Sequence, residues 1–161
     1  MPALRKSRRP VEEQVRTELQ QIRAHVAGVR GSLVATSDGL VVAHDLHDIE
    51  PTQIAALAAA TLAVARRATL ATECGTFREA VARGSDGYLA VYAAGDSAIV
   101  AVVGTSSLNV GMLQYRAREI IERIAAQSGQ IAGLAAPVRA AGDTTRTTRA
   151  LPRRRPAASE R

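Results

Sequence analysis

Residues 26–44 read VAGVRGSLVATSDGLVVAH, and this stretch decides the fold. Within it, Val29–Thr36 and Leu40–His44 are apolar and rich in β-branched residues, which is typical of strands. Between the two runs, Ser37-Asp38-Gly39 contains the Asp-Gly dipeptide that closes tight turns between antiparallel strands. Gly28 is a plausible stop for a preceding helix. The stretch therefore predicts a β-hairpin that follows a helix.

Helical periodicity flanks the hairpin on both sides. The apolar stripe before it recurs at spacings of four, three and four residues: Val15, Leu19, Ile22 and Val26. The second helix begins in the region 48–51, where Pro51 suits a first turn. Strong helix formers then continue without a break from Thr52 to about Thr69.

The second half of the chain predicts three more strands and a last helix. The strands are Thr76–Arg83, Tyr88–Ala93 and Ala98–Val103, and the short turns between them favour antiparallel pairing. The last helix ends at Gly129 and carries the apolar stripe Leu113, Ala117, Ile120, Ile121 and Ile124. The order α-β-β-α-β-β-β-α predicts an α/β three-layer sandwich. Its five-stranded sheet is mainly antiparallel, with the long second helix on one face and the terminal helices on the other.

The positive charge lies in the two ends of the chain. The net charge is +6, but residues 11–130 hold ten arginines and thirteen acidic residues, a net charge of −3. Residues 1–10 are basic, and residues 131–161 are rich in Arg, Pro and Thr, which predicts two disordered tails around one folded domain at 11–130. Such tails either keep the protein soluble or bind nucleic acid or an anionic membrane surface, which is the alternative function. The longest apolar run, Ile54–Ala65, is shorter than the about 20 residues of a membrane span, so we expect a soluble, cytoplasmic protein.

The chain offers little for catalysis. The only lysine, Lys6, has no glycine-rich loop beside it, so a P-loop is not expected. His44 and His47 suggest a metal pair, but the pair lies where the loop leaves a predicted strand, with no third ligand nearby, and a solvated loop is the better interpretation. Cys74 is the single cysteine, and packing explains it better than nucleophilic catalysis. We therefore predict no catalytic residue, no cofactor, no metal and no small-molecule substrate.

The ordered combination of motifs resembles the roadblock / dynein light-chain domain family, a relative of the longin and profilin-like folds. The matching pieces are residues 26–42, the turn Ser85-Asp86-Gly87-Tyr88 and the segment Leu108–Leu113, and the likeness spans roughly 11–128. Bacterial members include MglB-type regulators of small Ras-like GTPases. The resemblance implies a scaffold without an active site that binds and regulates such a GTPase, and some members stimulate its GTP hydrolysis.

The resemblance also implies a homodimer or a heterodimer, in which the strand after the second helix pairs with its counterpart and the long helices pack together. Residues 54–65 support this, because a helix that covers a sheet needs one apolar face and this helix is apolar nearly all round. The alternative is that alanine is simply tolerated on a surface. The predicted contact residues are Ile54, Leu57, Ala58, Thr61, Leu62, Ala65, Phe77, Arg78, Glu79 and Val81.

The predicted contacts to the GTPase are Arg66, Arg67 and Gln53, which would meet an acidic rim. The two arginines also have a purely structural explanation, because cations near the C-terminal end of a helix are favoured by the helix dipole. An arginine finger acting in trans is less expected, since the resemblance implies activation by reshaping the GTPase.

Overall fold

The computed structural model describes residues 3–135. In chain order the elements are α1 (Ala3–His25), β1 (Val29–Thr36), β2 (Val41–His44), α2 (Pro51–Ala71), β3 (Glu79–Arg83), β4 (Gly87–Ala94), β5 (Ala98–Thr105), α3 (Val110–Ala126) and α4 (Ser128–Ala135). The predicted order of helices and strands is confirmed, and α4 is an addition to it.

The five strands form one sheet in the order β2-β1-β5-β4-β3, and every neighbouring pair is antiparallel. The β1–β2 turn is the predicted hairpin, in which Gly39 takes a φ of 88° and donates its N–H to the Thr36 carbonyl at 2.9 Å. The central strand β5 is buried over most of its length, whereas β3, at one edge, is exposed at all positions but Ala80. The sheet therefore has a well-covered centre, and β3 is the more exposed of its two edge strands.

Helices cover both faces of the sheet, as predicted. α1, α3 and α4 pack on one face through side chains such as Leu19, Ile22, Leu113 and Ile131. α2 alone packs on the other face. The loop from α1 into β1 passes so close to the start of α3 that a Cβ on Gly28 would lie 2.8 Å from the Leu108 Cα, and the φ of 87° at Gly28 also favours glycine.

Both ends of the folded part differ from the prediction. α1 begins at Ala3, so the predicted disorder of residues 1–10 does not hold for 3–10. The charge and proline content favoured a tail, but residues 3–9 contain neither glycine nor proline and are mostly strong helix formers. Gly129 does not end the last helical segment either, because α4 continues past it and buries Ile131. Residues 1–2 and 136–161 lie outside the described residues, so a role for the basic tails stays a prediction.

Candidate docking surface

One face of α2 attaches the helix to the sheet. The helix starts at Pro51, and the Glu50 carboxylate caps it by accepting the Thr52 N–H at 3.2 Å. Ala55, Ala58 and Leu62 are buried and belong to the core between α2 and the sheet. The small alanine side chains let the helix lie close to the strands, so this inner face is fully used by the chain itself.

The opposite face of α2 is apolar and open to solvent. Leu57 and Val64 are 50% and 70% exposed. The spacing of four and three residues places one stripe on this side, which we call the outer face: Gln53, Leu57, Ala60, Val64, Arg67 and Ala71. Contiguous exposed apolar surface of this kind marks an interaction site on soluble proteins.

The structure divides the predicted α2 contact residues between these two faces. Leu57 is exposed on the outer face, and Thr61 beside it is half-buried, with its hydroxyl donating to the Leu57 carbonyl at 2.8 Å. Ile54 and Ala65 are half-buried and pack against the chain's own core. Ala58 and Leu62 are 0% and 2% exposed, so they are not available to a second copy, and the prediction is wrong for them.

Sequence reasoning missed Val64 and Leu70, which are the most exposed apolar residues of α2. The seven-residue spacing from Leu57 to Val64 was the available signal, because residues seven apart share a helix face. Nothing in an Ala-rich helix showed which of its faces the sheet would cover.

β3 forms the open edge beside α2. Arg78, Glu79 and Val81 are exposed, as a contact with a second copy requires. Phe77 is 6% exposed and sits in the core under α2, so its predicted role in the contact is wrong. In the described sheet β3 pairs only with β4, and an exposed edge of this kind is a template for another strand.

The three predicted GTPase contacts are exposed or half-buried, but they do not meet within one chain. Gln53 lies near the start of α2, and Arg66 and Arg67 are thirteen or more residues further on, which is about 20 Å along the helix axis. Arg66 donates from Nη2 to the Gly95 carbonyl at 3.3 Å, whereas Arg67 is exposed. The last turn of α2 has no basic residue, which weakens the helix-dipole explanation for the two arginines.

A cleft of about 1140 Å³ opens where the end of α2, the start of β3 and α3 meet, and Arg66, Glu79 and Tyr92 are among its lining residues. Tyr92 is 3% exposed, and its hydroxyl has no hydrogen-bond partner among the described residues. Burial raises the pKa of this hydroxyl strongly, and the nearby Glu79 carboxylate raises it further. The Tyr92 hydroxyl therefore stays protonated and is a donor without an acceptor.

The histidines weighed for metal binding lie in and just after β2, at the opposite edge of the sheet from β3, whereas Cys74 lies between Glu73 and Gly75, which line the cleft. Arg23 Nη1 lies 3.3 Å from His47 Nδ1, in the loop that leaves β2. Within residues 3–135 no three His, Cys, Asp or Glu side chains come together in a way that could hold a metal ion. Cys74 is exposed and contacts the Thr72 hydroxyl at 3.2 Å.

By length and composition alone, α2 could also cross a bilayer. Its inner face, however, belongs to the core on the sheet, and the adjacent Arg66 and Arg67 fall within the helix. A charged side chain in a bilayer centre costs about 3 kcal/mol or more. A protein partner therefore explains the exposed outer face of α2 better than a lipid bilayer does.

Comparison with known proteins places this architecture among related chains. A family model described as the Roadblock/LC7 domain matches residues 16–104. An uncharacterized protein of Methanocaldococcus jannaschii is 28% identical over 100 residues, which cover 62% of this chain and 87% of that protein.

Solved structures show the same fold. A structure titled MglB with tetrameric arrangement has a TM-score of 0.66 at 22% identity and covers 75% of this chain and 92% of that one. The gliding protein MglB of Thermus thermophilus has a TM-score of 0.59 at 20% identity and covers 80% of this chain and 93% of that one. The family match ends at Gly104, before α3 begins.

Proposed function

Since the chain belongs to the Roadblock/LC7 domain family, we propose that it is a non-catalytic, dimeric scaffold that binds and regulates a small Ras-like GTPase in the cytoplasm. The observation that carries the proposal is the outer face of α2 beside the open edge of β3. A scaffold of this kind works through surfaces, and among residues 3–135 the fold leaves these two adjacent surfaces open.

A second copy covers both surfaces at once. An antiparallel pair of α2 helices buries Leu57 and Val64 of each copy, and pairing of the two β3 edges joins the two sheets into one. Fully burying one Leu or Val side chain contributes about 1.5–3 kcal/mol, so four such side chains form a substantial apolar centre.

The same arrangement brings two of the three predicted GTPase contacts together. Gln53 and Arg67 lie at opposite ends of the outer face, seven residues on either side of Ala60. In an antiparallel helix pair crossing at Ala60, Gln53 of one copy approaches Arg67 of the other. Two equivalent polar patches, each built from both copies, then flank the apolar centre and offer a cation to an acidic rim on the GTPase.

The dimer is tested by light scattering on the full chain at micromolar concentrations. We expect twice the mass of 16.9 kDa. GTPase binding is tested with purified small Ras-like GTPases in their GDP and GTP-analogue states, with Arg67→Glu as the variant and Arg116→Glu, an exposed arginine on α3, as the control. Binding lost with Arg67→Glu and kept with Arg116→Glu supports the proposal, and a dimer that captures no such GTPase contradicts it.

A further inference from the structure

The edge strand β3 carries opposite charges at its two ends. It reads Glu79-Ala-Val-Ala-Arg83, with Val81 at the centre. When a strand pairs antiparallel with its own copy about its central residue, its first residue lies opposite the last residue of the copy. This strand is therefore complementary in charge to itself.

The hydrogen bonds to β4 show which residues of β3 face the open edge. Ala93 donates its N–H to the Arg78 carbonyl at 3.0 Å, and Gly84 donates to the Gly87 carbonyl at 2.8 Å, so the even-numbered positions bond to β4. Backbone groups of successive strand residues point to opposite sides. Glu79, Val81 and Arg83 consequently present their N–H and C=O groups to the open edge.

This orientation leaves few registers for a symmetric pair, because outward-facing residues must lie opposite outward-facing residues. A pair centred on Val81 places Glu79 directly opposite the partner's Arg83. A pair centred on Ala80 places Glu79 opposite a valine, and a pair centred on Ala82 places it opposite a serine. Only the register centred on Val81 matches both charges, and cross-strand pairs of opposite charge stabilise a sheet.

The side chains are placed for this contact. In the pairing with β4, Glu79 lies opposite Tyr92, and Arg83 lies opposite Tyr88. Residues directly opposite each other share a sheet face, so Glu79, Val81 and Arg83 lie on the face that carries the two tyrosines. The Glu79 carboxylate accepts a hydrogen bond from the Gln114 side chain, and the Arg83 guanidinium lies 5.7 Å from the centre of the Tyr88 ring.

Neither Glu79 nor Arg83 forms an ion pair among residues 3–135. On the opposite face of the strand, Ala80 and Ala82 offer only methyl groups, which leaves room for two α2 helices to meet above the joined strands.

We propose that β3 selects a second copy of this chain in the register centred on Val81, through two symmetric ion pairs between Glu79 of each copy and Arg83 of the other. The inference rests on the proposed dimer and deepens it, because it names the partner and the residues that choose it. A related chain without acid and base at these positions pairs less well, so the homodimer is preferred over a mixed dimer.

Charge reversal tests the pairing. Glu79→Arg alone places Arg opposite Arg twice, and Arg83→Glu alone places Glu opposite Glu twice. Each variant should weaken the homodimer about tenfold or more in a dilution series at low salt, because like charges directly opposite each other destabilise a sheet. An equimolar mixture of the two variants restores both ion pairs, so the mixed dimer should form with nearly wild-type affinity. The double variant E79R/R83E should dimerise with itself for the same reason.

The controls are Glu119→Arg and Arg116→Glu, two exposed α3 residues that carry the same changes in charge. Both should dimerise as the wild type does. Recovery in the mixture also shows that both β3 variants fold, since unfolded chains would not pair.

The outcomes separate the two proposals. A wild-type chain that stays monomeric overturns the proposed dimer and this inference with it. A wild-type dimer whose affinity is unchanged by either reversal leaves the dimer standing and overturns the register. Two weakened variants that do not recover when mixed or combined overturn the pairing as well.

Discussion

Arg123 on α3 and Glu18 on α1 form a bidentate ion pair, in which Nε donates to Oε1 at 2.9 Å and Nη2 donates to Oε2 at 2.8 Å. The Glu18 carboxylate is nearly buried, whereas the Arg123 side chain is 43% exposed. The hydrogen bonds to Glu18 are the main cause that raises the pKa of Arg123, so its guanidinium remains charged at any ordinary pH. This pair fixes α1 and α3 to each other on the sheet face away from α2.

Arg123→Ala should lower the free energy of unfolding by about 2 kcal/mol, because the Glu18 carboxylate would be left nearly buried without its charged donor. The control is Arg118→Ala, whose pair with Glu122 has an N–O distance of 3.6 Å and is largely exposed on both sides. Breaking an exposed pair should cost less than about 0.5 kcal/mol. Urea denaturation followed by circular dichroism measures both values, and equal values for the two variants would contradict this account.

The two faces of α2 predict opposite results for adjacent substitutions. Leu57→Asp should leave the fold intact and prevent dimerisation, because Leu57 is exposed in one chain and belongs to the apolar part of the outer face. Ala58→Glu should instead unfold the chain, since Ala58 is 0% exposed and the sheet leaves no room for a buried carboxylate. Ala58→Glu should lower the free energy of unfolding by about 4 kcal/mol.

Thermal denaturation and light scattering together distinguish these effects. Tyr115→Asp, at an exposed apolar residue of α3, is the matched control and should change neither the melting temperature nor the mass in solution. A folded dimer of the Leu57→Asp variant would show that the outer face meets something other than a second copy.

The local parts of the fold could be predicted from the sequence, and the non-local parts could not. Asp38-Gly39 specifies its hairpin through turn geometry alone, and the stripe from Val15 to Val26 specifies a helix through its period. The difference between Leu57 and Ala58 is set by which face the sheet covers, and an apolar, Ala-rich helix carries no contrast that encodes it. The unpaired hydroxyl of Tyr92 depends in the same way on distant neighbours.

Tyr92 makes a prediction about stability at high pH. Because burial raises the pKa of Tyr92 above its ordinary value near 10, the unfolded chain loses this proton more readily than the folded chain does. This contribution to stability is therefore constant below pH 10 and falls by about 1.4 kcal/mol per pH unit above it, until the pKa of the folded state is reached. Tyr92→Phe should remove this part of the decline, which urea titrations between about pH 8 and 11 measure.

At neutral pH the same substitution should be neutral or slightly stabilising. A buried hydroxyl without a partner costs free energy of desolvation that a phenylalanine does not. A loss of more than about 1 kcal/mol would mean that the hydroxyl donates to an acceptor in solution. Tyr115→Phe, at an exposed position, provides the control for the chemistry of the substitution.

Cross-linking at the centre of β3 provides a direct measurement of register. In a pair centred on Val81, the two Val81 Cα atoms lie about 5.5 Å apart, as in other hydrogen-bonded antiparallel pairs. In a Cys74→Ser background, Val81→Cys should therefore be captured as a covalent dimer by a short thiol-specific reagent. Ala80→Cys and Ala82→Cys serve as controls, because each would lie opposite its own copy only in a register whose centre is moved by one residue, which shifts the pairing by two residues. Faster capture at Ala80 or Ala82 would identify that shifted register, and the Glu79–Arg83 pairing would then be wrong although the dimer stands.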